Sequence, residues 1–452
     1  MSKRNKCARR RAVFAFVAAF VCAAGAWPWG VPRSSAQRPA PQRPPVAAVN
    51  PRSASVTAAA AEVLKETGEI RQLEVLRPVK SGAQSRAEIE RMLVRNLDED
   101  TTPAELRAGE LALKKLGLVP ADFALRSFMI ELLTEQVAGY YDPKTQQFYL
   151  ADWIDLDAQQ PVIAHELTHA LQDQHFNLRR FEDWPKGDSD AELAAHALVE
   201  GDATLVMTFY VMRDFKRIAA MMKSVNAETS SSEKIESAPR VLRESLLFPY
   251  KQGMEWASRV HRRGGWPLVS AAYTKLPRST EQILHAEKYF AGEEPLKIEF
   301  ADIAGLLGKS WVRLDYDVNG EWSYFQILDE YLRAEKESQK AAEGWGGDRF
   351  ALYEDRATRQ VLLAQLTAWD TEADAVEFFD AYVKRTERRY KDAVADTRAS
   401  VPVETRRLWR TATDGLVLVE RQGTRVYMLE GIPPKTDPRA LLKKMLGNSG
   451  GN

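Results

Sequence analysis

The chain has 452 residues, with 28% charged side chains and 63 basic residues set against 63 acidic ones. That length allows two or three domains with sizeable cores. The charge balance excludes a general polyanion partner such as nucleic acid. It hides one asymmetry: Lys3, Arg4, Lys6, Arg9, Arg10 and Arg11 crowd the N-terminus without an acid, which leaves the remainder mildly acidic.

Residues 1–26 read as a secretory signal peptide. A basic start is followed by the apolar run Ala12 to Ala26, and Ala24-Gly25-Ala26 fits a small-x-small cleavage site. Two alternatives stay open. One is an uncleaved anchor, although about fifteen apolar residues is short for a span. The other is a lipoprotein at Cys22, although Val21 stands where a small residue belongs. The expected location is therefore periplasmic or extracellular. Both cysteines, Cys7 and Cys22, fall in this segment. A processed chain would have no disulfide framework, and any metal site in it must use histidine and carboxylate. No later stretch is apolar for long enough to span a membrane.

Residues 27–55 are rich in Pro, Ala, Arg and Ser and read as a linker. From Val56 to Gln136 the pattern is helical, with a break at Pro78 to Gly82. Thr102-Pro103-Ala104-Glu105 is a helix start, and Pro120-Ala121-Asp122 should open another helix. The period then changes. Val137 to Tyr141, the turn Asp142-Pro143-Lys144-Thr145, and Gln147 to Leu150 predict a β-hairpin.

The next stretch, Pro161 to His175, reads PVIAHELTHALQDQH. Its His165-Glu166-Leu167-Thr168-His169 is an H-E-x-x-H motif. On a helix the two histidines lie one turn apart on the same face, so both imidazoles can reach one metal ion. Glu166 then flanks the ion as a candidate general base. The uncharged neighbours Val162, Ile163, Ala164, Leu167, Ala170 and Leu171 suit a buried helix.

Catalytic zinc needs three protein ligands and an open position. Glu200, on a second helix expected over 188–224, is the favoured third ligand. It sits in an apolar run, and a buried carboxylate needs a partner. Gly201 is expected to let this helix approach the first. Glu192 and His196 share the face of Glu200 and remain alternatives as ligands or supporting groups. Asp202 is a candidate to orient one ligand histidine. His175 has the spacing of an extended three-histidine motif, but Gln172 stands where that motif needs glycine. If the helix continues past Gln172, His175 points about 80° away from His165.

Downstream, Ser279-Thr280-Glu281 starts a helix carrying His285 and Tyr289. His285 is a candidate catalytic residue that would stabilise an oxyanion; alternatively it forms an i,i+4 pair with Glu281. His261 reads as a solvated residue. Beyond Ile298, helices over 321–340 and 372–391 alternate with strands at 349–353, 360–367, 407–411, 416–420 and 425–429. Arg421 to Thr424 is a hairpin turn. Around Trp345-Gly346-Gly347-Asp348-Arg349, the tryptophan is expected in a core and the glycines in a turn.

His165, Glu166, His169 and Glu200 together resemble the gluzincin group of zinc metallopeptidases. The blocks VIAHELTHALQDQHF, ALVEGDA, STEQILHAEKY and AAEGWGGDR also resemble a set of exported bacterial and archaeal metallopeptidase-like proteins. The chain is expected to be α+β. The resemblance implies a zincin-like catalytic domain, placed at 56–297 and mainly helical with a small β-sheet, and the alternating helices and strands beyond it predict a smaller α+β domain (298–452) with an antiparallel sheet. It also implies Zn2+ as cofactor, a peptide or protein substrate, and hydrolysis with Glu166 as base. The competing expectation is a zincin-fold binding or assembly module of the cell envelope without catalysis. The presence of Glu166 argues against that module, since it would have no use for the base.

Overall fold

The computed structural model describes residues 52–447 except 154–155, 157–158, 183, 228–236 and 397–404. The expected signal peptide, and the linker as far as residue 51, lie outside the described residues. Helix α1 (Arg52–Arg71) begins inside the range expected to be linker. After it come β1 (Lys80–Gln84), α2 (Arg86–Asp100), α3 (Pro103–Leu116) and α4 (Leu125–Gln136). Helices α2 and α3 start with reciprocal capping boxes, Ser85 with Glu88 and Thr102 with Glu105, which satisfy backbone donors at both starts. Gly117, in the left-handed region, ends α3. Helix α4 starts later than expected, because residues 120–122 form a turn first.

The predicted hairpin is present as β2 (Gly139–Asp142) and β3 (Gln147–Ala151). Asp142 organises its turn by accepting from the Lys144 amide and the Thr145 hydroxyl. Strand β1 adds in parallel on the far side of β3, giving the order β1-β3-β2. Strand β2 is therefore an edge.

Helix α5 (Gln160–Phe176) carries the H-E-x-x-H motif, with Pro161 in its first turn and the left-handed Asn177 at its end. The short α6 (Arg179–Glu182) follows. The second long helix is shorter than expected: α7 (Ser189–Met212), capped by Asp188, stops at Arg213-Asp214 before α8 (Phe215–Ala227). Helix α9 (Arg240–Ala272) bends at Gly264-Gly265, where the backbone leaves helical φ/ψ. Side chains of α1, β3, α5, α7 and α9 share one core, with Val56, Phe148, Leu167, Leu198 and Trp256 all buried in it.

Gly201 does permit a close approach, but against α9 rather than α5. A Cβ on Gly201 would lie 2.2 Å from the Gly253 backbone, and one on Gly253 would lie 2.2 Å from the Ala197 carbonyl oxygen. The two glycines thus set the α7–α9 crossing.

The helix expected from Ser279 is split at His285 into α10 (Thr280–Leu284) and α11 (Ala286–Ala291). Then come α12 (Ala304–Leu307), β4 (Trp311–Asp317), α13 (Gly320–Leu332), α14 (Glu335–Ala342), β5 (Trp345–Asp355), β6 (Val361–Trp369) and α15 (Glu372–Arg389). Strands β7 (Val394–Ala395), β8 (Arg406–Arg410), β9 (Leu416–Gln422) and β10 (Arg425–Ile432) and helix α16 (Pro438–Met445) complete the chain. Strands β4 to β10 form one seven-stranded antiparallel sheet, ordered β4-β5-β6-β10-β9-β8-β7. The chain is thus a mixed helix and sheet protein with the expected antiparallel sheet in its C-terminal part.

Two details differ from expectation there. Trp345 is buried as expected, but Gly346 and Gly347 lie within β5 and make no turn. They let the chain at Leu296 cross the strand: a Cβ on Gly347 would meet the Leu296 carbonyl oxygen at 2.4 Å. Second, α2–α4 pack with the C-terminal sheet, not with the motif helix. Ile89, Leu93 and Leu113 belong to the same apolar cluster as Tyr324, Phe378 and Met428. The cores are therefore partitioned differently from the ranges 56–297 and 298–452. A second cluster, including Ile303 and α16 Leu441, covers the other face of the sheet. With both faces covered, every residue of β5 is buried. Among the described residues no helix is long and apolar enough to cross a membrane.

The α7–α9 crossing yields a stability prediction. Gly253→Ala inserts a methyl against the Ala197 carbonyl and should cost about 1–3 kcal/mol, as overpacking does. Urea unfolding of both proteins measures it, and an unchanged midpoint would contradict the tight crossing.

Candidate metal centre

Helices α5 and α7 bring together the three residues expected as ligands. His165 Nε2 lies 3.1 Å from Glu200 Oε2 and 3.1 Å from His169 Nε2, and His169 Nε2 lies 3.4 Å from Glu200 Oε2. All three side chains are buried. Three ligand atoms at about 2.1 Å from one tetrahedral zinc are separated by about 3.4 Å, so the spacing fits zinc. The donor chemistry, two imidazoles and one carboxylate, fits as well. These residues form one of two histidine and carboxylate groups among the described residues that could hold a metal ion. The other is Glu281, Glu293 and Asp370. There Lys288 Nζ already donates to all three carboxylates at 2.6–2.7 Å, so their countercharge is supplied.

The electrostatics of the metal-free centre follow from burial and proximity. Burial opposes charge on Glu200, but His169 and His165 overcome it and hold the carboxyl down to about 2. Burial likewise opposes charge on His169, and the Glu200 carboxylate overrides it, lifting the imidazole to about 9. His165 is held below its ordinary value by burial.

Glu166 is buried against the hairpin, and its Oε2 accepts from the Tyr141 amide of edge strand β2 at 2.9 Å. Burial pushes its carboxyl up to about 8. A divalent cation alongside lowers such a value.

The supporting groups are only partly those expected. Asp202 does not touch a ligand histidine. It acts through Gln172, whose Nε2 donates to Asp202 Oδ2 (3.1 Å) and to the Val199 carbonyl (3.0 Å). Gln172 Oε1 faces His169 Nδ1 at 2.8 Å. Asp202 also receives Arg71 Nε at 2.7 Å and the Tyr273 hydroxyl at 2.9 Å. Arg71 and Asp202 are both fully buried. No local motif announced Arg71, Gln172 or Tyr273. The one available signal was that Gln172 lies one turn beyond His169 on the motif helix.

The remaining candidates fall elsewhere. His285 pairs with Glu321 at 2.9 Å, which raises its affinity for a proton. It joins neither the metal group nor Glu281, whose carboxylate binds Lys288. Tyr289 donates its hydroxyl to the Lys275 carbonyl. His175 donates to the Glu74 carbonyl, away from the centre. Glu192 is raised to about 8 by burial and by Asp317 and Asp188, and it is not in the metal group. His196 is also outside that group; its Nε2 is buried without a hydrogen-bond partner among the described residues. His165 Nδ1 is likewise buried and unpartnered there. His261 is partly exposed, with its ring against Trp266 and Phe209.

Residues 310–442, which span most of the C-terminal sheet, match the family described as "Domain of unknown function (DUF8575)". That match lies outside α5 and α7. No curated protein and no solved structure matches the chain.

Two outcomes are expected. Glu200→Ala should lose the zinc that the wild-type chain takes up, measured by elemental analysis after dialysis; full occupancy in the variant would move the third ligand elsewhere. The second concerns pH. The folded His169 and Glu166 values, about 9 and about 8, lie above their ordinary ones. Between about pH 6.5 and 9 the folded His169 and Glu166 therefore bind more protons than they do in the unfolded chain, and stability falls as pH rises through that window. Metal must displace those protons, so stabilisation by zinc should grow from pH 6 to 9. Thermal melts with and without a chelator test this, and a zinc increment independent of pH would contradict it.

Proposed function

We propose that the chain is an exported zinc metallopeptidase of gluzincin type, with His165, His169 and Glu200 holding the metal and Glu166 as general base. The observation that carries the reading is the convergence of two imidazoles and a carboxylate from α5 and α7 at zinc-like spacing, with a second carboxylate beside them. A zinc ion bound there would supply Lewis acidity, acidifying a water and polarising a carbonyl. Glu166 then does what its place allows. It takes a proton on its carboxylate and returns it to the leaving amine. Its bond to the Tyr141 amide fixes the carboxylate between the motif helix and the hairpin. Strand β2 is an edge of the three-stranded sheet, and an extended peptide adds to a sheet edge through main-chain hydrogen bonds. This supports a peptide or protein substrate lying along β2. In this reading α1, the β1-β3-β2 sheet, α5, α7 and α9 make up a zincin-like catalytic unit. The basic, apolar N-terminal segment supports export.

Glu166→Gln tests the proposal. The amide keeps the shape but cannot accept the proton. With casein as substrate, peptide hydrolysis should fall by roughly 10²–10⁴-fold, the usual range for a general base, while zinc content stays at the wild-type level. A variant within twofold of wild type would remove Glu166 from the chemistry. Zinc binding without hydrolysis of any peptide by wild type would favour the non-catalytic module.

A further inference from the structure

We infer that Gln172 locks the tautomer of His169, and that Arg71 and Asp202 set the lock; this rests on the metal centre proposed above. A glutamine amide can face either way, and its hydrogen-bond partners decide which. Here one end of the amide meets two acceptors, the Val199 carbonyl oxygen at 3.0 Å and Asp202 Oδ2 at 3.1 Å. A backbone carbonyl oxygen can only accept, so that end must be the NH2. The oxygen is thereby forced towards His169 Nδ1, 2.8 Å away. An amide oxygen only accepts, so His169 Nδ1 carries the hydrogen. In the neutral ring, Nε2 then holds the lone pair, and Nε2 is the atom that faces Glu200 and His165. The polarity of the chain is thus dictated from Asp202 outward, and it ends with the correct nitrogen ready for a metal.

Arg71 makes this choice one-sided. Its Nε donates to Asp202 Oδ1 at 2.7 Å and its Nη1 to Ser270 Oγ at 3.1 Å, and its guanidinium lies over the Trp266 ring. It keeps a hydrogen-bond acceptor at position 202 pointed towards α1. If residue 202 became an amide, the guanidinium would claim the oxygen. The NH2 would then face the Gln172 amide. Either two donors oppose each other there, or the glutamine turns over and sets its oxygen against the Val199 carbonyl oxygen. Turned over, its NH2 would donate to His169 Nδ1 and drive the ring proton onto Nε2, where a metal would have to bind. Asp202→Asn is nearly isosteric, yet either outcome weakens the hold on the His169 tautomer.

Gln172, Asp202 and Arg71 are positioning residues: none of them is in the metal group. The test uses the full-length chain with 15N-labelled histidine. In the zinc-loaded wild type, His169 should show a protonated Nδ1 and a metal-bound Nε2. Chelator competition should show zinc affinity reduced roughly 10–100-fold in Gln172→Met and in Asp202→Asn, the range seen when groups behind a ligand are lost. The double variant should bind zinc no more weakly than the worse single one, because a methionine has no amide to turn over. Losses that add, or singles within twofold of wild type, would overturn the proposal. Should Asp202→Asn fail to fold, the wild-type spectrum still decides: metal on Nδ1, or an unprotonated Nδ1, overturns the lock. A wild-type chain that binds no zinc would overturn the metal centre itself, and the lock with it.

Discussion

The Glu200 carboxylate is the constraint on which the rest depends. It is a charge placed in the middle of an apolar helix face, almost fully buried, and an uncompensated charge in such a place is prohibitive. Two imidazoles from α5 stand opposite it, so the approach of α5 to α7 is set by electrostatics as well as by packing. The Gly201–Gly253 crossing fixes α7 from its other side. Between these two constraints α7 has little freedom to slide or rotate, and the facing atoms of His165, His169 and Glu200 inherit that rigidity.

Much of this was legible in the sequence because it is local. The H-E-x-x-H spacing, Pro161 in the first turn and the apolar flanks all act within one helix, and that helix appears where expected. Glu200 was legible for a related reason: a carboxylate directly after Ala197, Leu198 and Val199 announces a buried charge before its partner is known. The hairpin and most C-terminal strands followed from alternation and turn residues. The Thr102–Glu105 capping box followed from a four-residue pattern.

What the sequence concealed is long-range. Gln172 reads as the failure of a three-histidine motif, and only the fold shows it clamped between Val199, Asp202 and His169. Arg71 looks like one more basic residue at a helix end until α1 carries it against Asp202. Gly201 was read as a contact for α5, because its true neighbour, Gly253, lies on a helix with no sequence link to it. His285 and Glu321 meet only when α10 packs on α13. The attachment of α2–α4 to the C-terminal sheet was hidden for the same reason: an amphipathic helix displays an apolar face but does not name the surface that covers it.

The span of the Arg71 contacts bears on when the centre can exist. Arg71 and Ser270 are 199 positions apart in the chain, and Arg71 and Asp202 are 131 apart. Contacts of that separation form late, after the loops between them have closed. A chain still being synthesised, or threaded unfolded through a pore, can form the motif helix without the groups behind it. Such a chain would hold metal poorly. If the chain is the exported metallopeptidase proposed above, competence for metal arrives together with the finished fold, and the enzyme would be inert towards its neighbours during its own transit.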